Sequence, residues 1–378
     1  MSSSGNGVVF IGMGAAFPSQ VRTNDWWSSE HVETHLSGME DDIVGSTDHA
    51  LRASPTLVDK EVAKIAALHP EDPFRGAKER RILEEPQTAS DLETEAAKIA
   101  LANAGLRSNE IDLLILFAQV PDYPCPGNHA LVAAKLGCPP STASMTVGID
   151  CASFVANVKV ASALLKAGEH RNALIIQSSL ASRVVDWERP ASVNVGDGSV
   201  AFVLTQTDST AGYIGSTIQT LGDFHAAVRI APNGNAATPW YAGSTHRQNL
   251  VFQTMDKDGA RESGSRAPSF CRETCLPLLE RHGYSTADVD AFVCSQPTSW
   301  FGSACCEALD INQSRLVGTF ERFAHLMPAS VGVNLVDAHE TGKLAEGDLV
   351  LVYTPGAGLI QAALLWRWSL PKRPAHQR

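Results

Sequence analysis

The residues best placed to do chemistry lie in Val147-Gly148-Ile149-Asp150-Cys151-Ala152-Ser153-Phe154, where a thiol follows an apolar run and precedes a helical pattern. Met145 to Ile149 is β-prone, whereas Phe154, Val158, Ala161 and Leu165 recur with the period of one helix face, and Gly168 marks a helix stop. Cys151 therefore falls on a strand-to-helix junction. Unpaired N–H groups and the helix dipole at such a place stabilise a thiolate or an oxyanion. A packed core cysteine fits the same residues, because free cysteine is among the most buried residue types. The spacing alone leaves both readings open.

The elements around this junction alternate. Val8 to Ile11 reads as a first strand running into Gly12-Met13-Gly14. The third glycine of a nucleotide loop is missing there, and Pro18 stands where its helix should begin. Ser90-Asp91-Leu92-Glu93 has the form of a capping box opening a helix to Ala104, closed by Gly105. Leu113 to Ala118 is a continuous apolar strand, followed by a helix over Asn128 to Leu136, the Met145 strand, the Cys151 helix and a strand from Ala173 to Gln177. The second half repeats this order. Ser285 to Gln296 echoes Ser108 to Gln119, Ser330-Val331-Gly332-Val333-Asn334 echoes Ser153-Phe154-Val155-Ala156-Asn157, and Leu349 to Tyr353 repeats the Ala173 strand. This internal duplication predicts an α/β protein of two similar halves, 1–205 and 206–378, with a site at their seam. Residues 25–75 are irregular, with short helical patterns such as Val58 to Leu68, and read as an inserted cap, with Trp26 and Trp27 as its anchors or as the lining of a substrate entrance.

Composition narrows the function classes. The 378 residues are 44% hydrophobic and 19% charged, as in an ordinary globular protein. A net charge of −11 argues against nucleic acid as a partner, and no apolar run is long enough to span a membrane. The first seven residues lack signal-peptide character, so a cytoplasmic protein is expected. The eight cysteines form no CxxC pair, which predicts reduced thiols and neither bound metal nor a disulfide framework.

Several segments, in order along nearly the whole chain, carry a resemblance. They are Gly12-x-Gly14-x-x-Phe17-Pro18-x-x-Val21-Arg22-Thr23-Asn24, Glu79-Arg80-Arg81-Ile82, Asp150-Cys151-Ala152-Ser153-Phe154, Gly196-Asp197-Gly198 and Gly356-Ala357-Gly358. Together they resemble the ketoacyl-ACP synthase III family of the thiolase superfamily. The resemblance implies a five-layered αβαβα thiolase-like fold and a homodimer. It also implies a cysteine acylated by acyl-CoA or a phosphopantetheinyl acyl-carrier protein, which are substrates, with no bound cofactor. Cys151 falls on the family's nucleophile.

Two positions depart from the family pattern. Its condensing members carry a histidine where this chain has Ser295-Gln296-Pro297-Thr298, and an asparagine where Arg322-Phe323-Ala324-His325 places His325. The Cys-His-Asn set thus reads Cys151, Ser295 and His325. In the condensing members His and Asn both donate to the thioester carbonyl, and one such donor is typically worth about 2.7–4 kcal/mol. With that pair changed, transacylation is expected, with His325 as base and the N–H groups of Cys151 and Gly356-Ala357-Gly358 as oxyanion hole. The acceptor would be a small-molecule hydroxyl, amine or thiol in a natural-product pathway. A decarboxylative condensing enzyme and a non-catalytic partner subunit are the alternatives. His225, Cys125 and Trp300 are further pocket candidates, and His129 is expected at a dimer face or helix cap. Arg75, Lys78, Arg80 and Arg81 could hold the donor or form a solvated basic face. No group to orient His325 is evident from Glu321 or Asp337.

Overall fold

Apolar runs buried on both faces and broken by glycine and polar turns fold into two sets of five strands in the computed structural model, which describes residues 7–36, 55–68, 72–232 and 250–370. The first half contributes Gly7–Ala16 (β1), the short Gln20–Thr23 (β2) and Glu79–Ile82 (β3), then Leu113–Ala118 (β4), Ala143–Thr146 (β5), Asn172–Leu180 (β6) and Asp197–Thr207 (β7). Gly212–Thr220 (β8), the hairpin Val228–Pro232 (β9) and Leu250–Thr254 (β10), Ala291–Cys294 (β11), Leu316–Val317 (β12), Leu349–Gly356 (β13) and Ile360–Arg367 (β14) follow.

The spatial orders are β1-β7-β6-β4-β5 and β8-β14-β13-β11-β12, the same arrangement twice. In each, the first three strands run antiparallel to their neighbours and the last three parallel. The sets join through Val8 and Gly212. Gly212 has φ 87°, and a Cβ there would lie 1.8 Å from the Val8 carbonyl oxygen, so only glycine permits the junction.

Side-chain alternation along the strands separates the layers. Leu113 and Ile115 face the central core, Leu114 and Leu116 an outer one covered by helices Ala89–Ala104 and Asn128–Leu136. In the second set Val350 and Val352 face inward, and Leu349 and Leu351 face helices Lys257–Arg281 and Phe301–Leu309. Helices Ser153–Lys166 and Ser330–Glu340 form the middle layer. The expected face of the first, Phe154, Val158, Ala161 and Leu165, is fully buried. Each large apolar side chain so buried contributes about 1.5–3 kcal/mol, which fixes the N-terminal end of this helix at the seam.

Several boundaries differ from the sequence reading: the strands expected over Ala173–Gln177 and Leu349–Tyr353 run on as β6 and β13, and β7 continues to Thr207, past the division expected at 205. β1 continues through Gly12 and Gly14, where a Cβ would collide with Ala100 and Ile99 of the covering helix; this glycine pair serves packing. β5 ends at Thr146, and two residues on Gly148 lies so close to the Phe117 ring that a Cβ would stand 2.3 Å from it. The capping box of helix Ala89–Ala104 is Thr88 with Asp91, while Glu93 is drawn into the core by Ser178 and Asn128. Of the 25–75 insertion, residues 37–54 and 69–71 lie outside the described residues; helix Leu57–Leu68 packs through Val58, Val62 and Ile65 on the outer core of the second set. Trp27 is buried with Phe74, Leu36 and Val193, whereas Trp26 is half exposed and stacks on Arg22. Among the described residues no helix is long and apolar enough to cross a membrane.

Candidate active site

Cys151 lies two residues before helix Ser153–Lys166 and opens into a cavity of about 540 Å³ that also receives Ser295, Trp300, His325, Met327, Gly356 and Ala357. Its Sγ is 4.0 Å from His325 Nε2 and 3.9 Å from Met327 Sδ. The Cys151 carbonyl accepts the Thr354 hydroxyl at 3.0 Å, which ties the nucleophile to the end of β13. Burial and then the neighbouring Asp150 carboxylate push the thiol up to about 12. The N–H groups of Cys151 and Ala357 point at the sulfur and act the other way, without prevailing. The helix end anticipated from the sequence is therefore present, yet the resting thiol keeps its proton, and attack requires a group to take it.

His325 is the nearest such group. It comes from the second half but is held by the first: its N–H donates to the Asn194 carbonyl at 2.8 Å, and its carbonyl accepts from the Gly196 N–H at 3.1 Å. Nδ1 lies 3.1 Å from the Ser330 hydroxyl, which also accepts the Leu326 N–H at 2.9 Å. Burial lowers the ring to about 4, so the imidazole is neutral at ordinary pH. Ser330 is the orienting group that the sequence reading lacked. Asp337 instead pairs with Arg322 and Glu321 with Lys78. Cys151 and His325 each follow a residue at positive φ, 53° at both Asp150 and Ala324, a conformation costing on the order of 1–3 kcal/mol for a non-glycine. Such strain persists where the surrounding contacts determine one geometry, as the Asn194 and Gly196 hydrogen bonds do here.

Ser295 is fully buried, and its hydroxyl has no hydrogen-bond partner among the described residues. Its N–H is fixed by the Tyr353 carbonyl at 3.0 Å, and the preceding carbonyl accepts from Asn334 at 3.0 Å. The hydroxyl is thus a rigidly mounted polar group at the cavity wall. Gly356 packs against the turn before the nucleophile: a Cβ there would stand 2.9 Å from the Ile149 carbonyl oxygen. This close approach lets the Ala357 N–H reach the sulfur.

The other expected site residues divide. Arg75 lines the cavity, with its guanidinium partly buried. Arg80 does not belong with it: fully buried, it donates to the Val193 carbonyl and to Asn24, and serves the fold. Lys78 pairs with Glu321 at 2.9 Å, Arg81 lies against Glu79 and Phe323, and neither reaches the cavity. His225 is exposed and bonded to the Gly222 carbonyl, Cys125 is exposed, and Gly358 lies beyond the lining, so none of the three joins Cys151 within this chain. His129 bonds Thr146 at 2.9 Å beside a helix start. The cations Arg189, Lys257 and Arg261, which the sequence reading missed, stand at the cavity instead. Lys257 and Arg261 are four residues apart on helix Lys257–Arg281, and strands β9 and β10 line the same cavity. Among the described residues no group of three or more His, Cys, Asp or Glu is placed to hold a metal.

Comparison with known proteins agrees with this geometry. Residues 146–222 match the family model for 3-oxoacyl-(acyl-carrier-protein) synthase III, and residues 279–368 match that for its C-terminal part. The chain is 30% identical over 299 residues to a beta-ketoacyl-(acyl-carrier-protein) synthase III of Ehrlichia canis, covering 77% of this chain and 88% of the relative. It is 29% identical over 295 residues to the protein of that name from Caldanaerobacter subterraneus, covering 78% and 87%. In structure it superposes on the 3-oxoacyl-(acyl carrier protein) synthase III of Pseudomonas aeruginosa with a TM-score of 0.75 at 22% identity, over 97% of this chain and 100% of the other. OleA of Xanthomonas campestris gives 0.74 at 21% identity, over 96% and 98%. By sequence, and with the thiolase fold seen here, the chain belongs to the beta-ketoacyl-(acyl-carrier-protein) synthase III family.

Proposed function

We propose that the protein is an acyltransferase that carries an acyl group on Cys151 and delivers it to a hydroxyl, amine or thiol. The observation that supports this reading most is the neutral imidazole 4.0 Å from a thiol that keeps its proton, beside Ser295 rather than a second imidazole. In the first half-reaction Cys151 Sγ attacks the donor thioester carbon, and its proton passes to His325 Nε2 in the tautomer that leaves this nitrogen free. The donor carbon–sulfur bond breaks, and the departing thiol takes the proton back. In the second, the acceptor attacks the acyl-cysteine carbon while Nε2 takes its proton, the bond to Sγ breaks, and Cys151 is reprotonated. The N–H groups of Cys151 and Ala357 support the oxyanion in both.

The donor is an acyl-CoA or acyl-carrier protein, with Arg75 among the groups meeting it. The proposal includes a homodimer, a cytoplasmic location and a role in natural-product biosynthesis. Decarboxylative condensation is the second reading, supported by the relatives' name; there a His325 N–H and the Ser295 hydroxyl would serve as the two donors. Carbon dioxide release from carboxyl-labelled malonyl donors in the presence of acylated enzyme separates the two. Acyl transfer predicts no release above that of Cys151→Ala, and turnover-linked release would overturn it.

A further inference from the structure

The Ser330 hydroxyl has a counterpart one internal repeat earlier. Ser153 accepts the Ile149 N–H at 2.9 Å and sends its own proton to the Asp150 carbonyl at 2.6 Å. Ser330 likewise accepts the Leu326 N–H at 2.9 Å, but its other partner is His325 Nδ1 at 3.1 Å. A serine hydroxyl carries one proton, and a backbone N–H can only donate. Of the two partners recorded for the Ser330 hydroxyl among the described residues only Nδ1 can accept, so its proton has that nitrogen as its outlet, in the place of the carbonyl that Ser153 uses. A ring nitrogen that accepts bears no proton, and a neutral imidazole then carries its proton on the other nitrogen. The remaining contacts continue the same direction: Nε2 faces Cys151 Sγ at 4.0 Å, and the thiol faces Met327 Sδ at 3.9 Å. Every donor from the Leu326 amide to the thiol then has an acceptor.

We propose that Ser330 is a positioning residue that fixes the His325 ring and holds its resting proton on Nε2, facing Cys151. At rest His325 is a hydrogen-bond donor to the sulfur, the kind of contact an asparagine amide makes. It becomes a base in the other tautomer, which the same hydroxyl supports by turning to accept from Nδ1–H. A carbonyl or carboxylate in place of Ser330 would hold the Nδ1–H form alone, so a hydroxyl is the group that allows one histidine both roles. The resting tautomer involves neither acyl donor nor acceptor, and the inference stands or falls separately from the proposed acyl transfer.

The test is long-range nitrogen–proton NMR of substrate-free protein labelled with 15N-histidine, with the His325 signals assigned from His325→Gln. In the wild type, Nδ1 of His325 should show the shift of an unprotonated ring nitrogen and Nε2 that of a protonated one. Ser330→Thr keeps the hydroxyl and should keep this pattern. Ser330→Ala should move both shifts toward the averaged values of a ring exchanging its tautomers, and Ser330→Asp should place the proton on Nδ1. A wild-type ring protonated on Nδ1, or a Ser330→Ala spectrum matching wild type, overturns the proposal. If Ser330→Ala fails to fold, the wild-type, Ser330→Thr and Ser330→Asp spectra still decide it.

Discussion

Glu93 offers a quantitative test of how the first half is held together. It is fully buried, with its carboxylate accepting from Asn128 Nδ2 at 2.9 Å and from the Ser178 hydroxyl. Burial raises its pKa from 4.5 to about 7, the nearby Asp122 adds to the rise, and the two hydrogen bonds offset only part of it. The native state thus binds this proton more tightly than the unfolded chain. The associated stability is fully present below about pH 4.5 and is lost as pH rises through about 7. A shift of this size, at about 1.4 kcal/mol per pH unit, corresponds to about 3 kcal/mol. Glu93→Gln removes the titration while keeping the shape: its amide oxygen accepts from Asn128, and its NH2 donates to Ser178. Urea unfolding of both proteins from pH 4 to 8 reads the difference directly. The variant should gain about 3 kcal/mol relative to wild type across that range, with most of the change between pH 4.5 and 7. Parallel stability curves would refute the reasoning, since a carboxylate solvated in the folded state would titrate alike in both states.

Alkylation of Cys151 by iodoacetamide should keep rising about tenfold per pH unit through pH 9, where an ordinary thiol levels off near 8.5. Asp150→Asn, tolerated at φ 53°, should speed it at neutral pH by removing the neighbouring charge; mass-spectrometric labelling rates check both. Gly356→Ala places a methyl 2.9 Å from the Ile149 carbonyl oxygen and displaces the Ala357 N–H, so acylation of Cys151 should fall about 100-fold by stopped-flow, and because the clash is with backbone the variant should also lose about 1–3 kcal/mol of stability in urea unfolding. The double variant Ser295→His/His325→Asn restores both thioester donors and should release carbon dioxide from malonyl donors at least about 100-fold faster than wild type.

Much of the fold was legible where one physical signal dominated. Leu113–Ala118 and Asn128–Leu136 are found at their expected limits because an unbroken apolar run and a Gly137 stop leave little choice. The duplicated order of segments corresponds to the duplicated strand order. Errors arose where a distant partner decided a local question. Glu93 fits a capping box by spacing, but Ser178, 85 residues away, claims its carboxylate. The β-prone run after Met145 stops early, at Thr146, and two residues on the Phe117 ring lies against Gly148. Arg80 looks like a surface cation and is buried between Asn24 and Val193. At the site, the family resemblance located Cys151, Ser295 and His325, which share one cavity. Ser330 escaped notice although its repeat with Ser153 was visible; the signal was present, but its meaning depends on His325 folding back over the serine.

The proposed reaction has Cys151 hold an acyl group and pass it to a heteroatom. Intact-protein mass spectrometry tests it most directly, with wild type and Cys151→Ala loaded from a panel of acyl-CoA and acyl-carrier donors. The adducts are then chased with malonyl donor or with alcohols, amines and thiols. An adduct should form on wild type alone, persist under malonyl donor and be cleared by a heteroatom nucleophile. An adduct cleared by malonyl donor, or an equal adduct on Cys151→Ala, would contradict it.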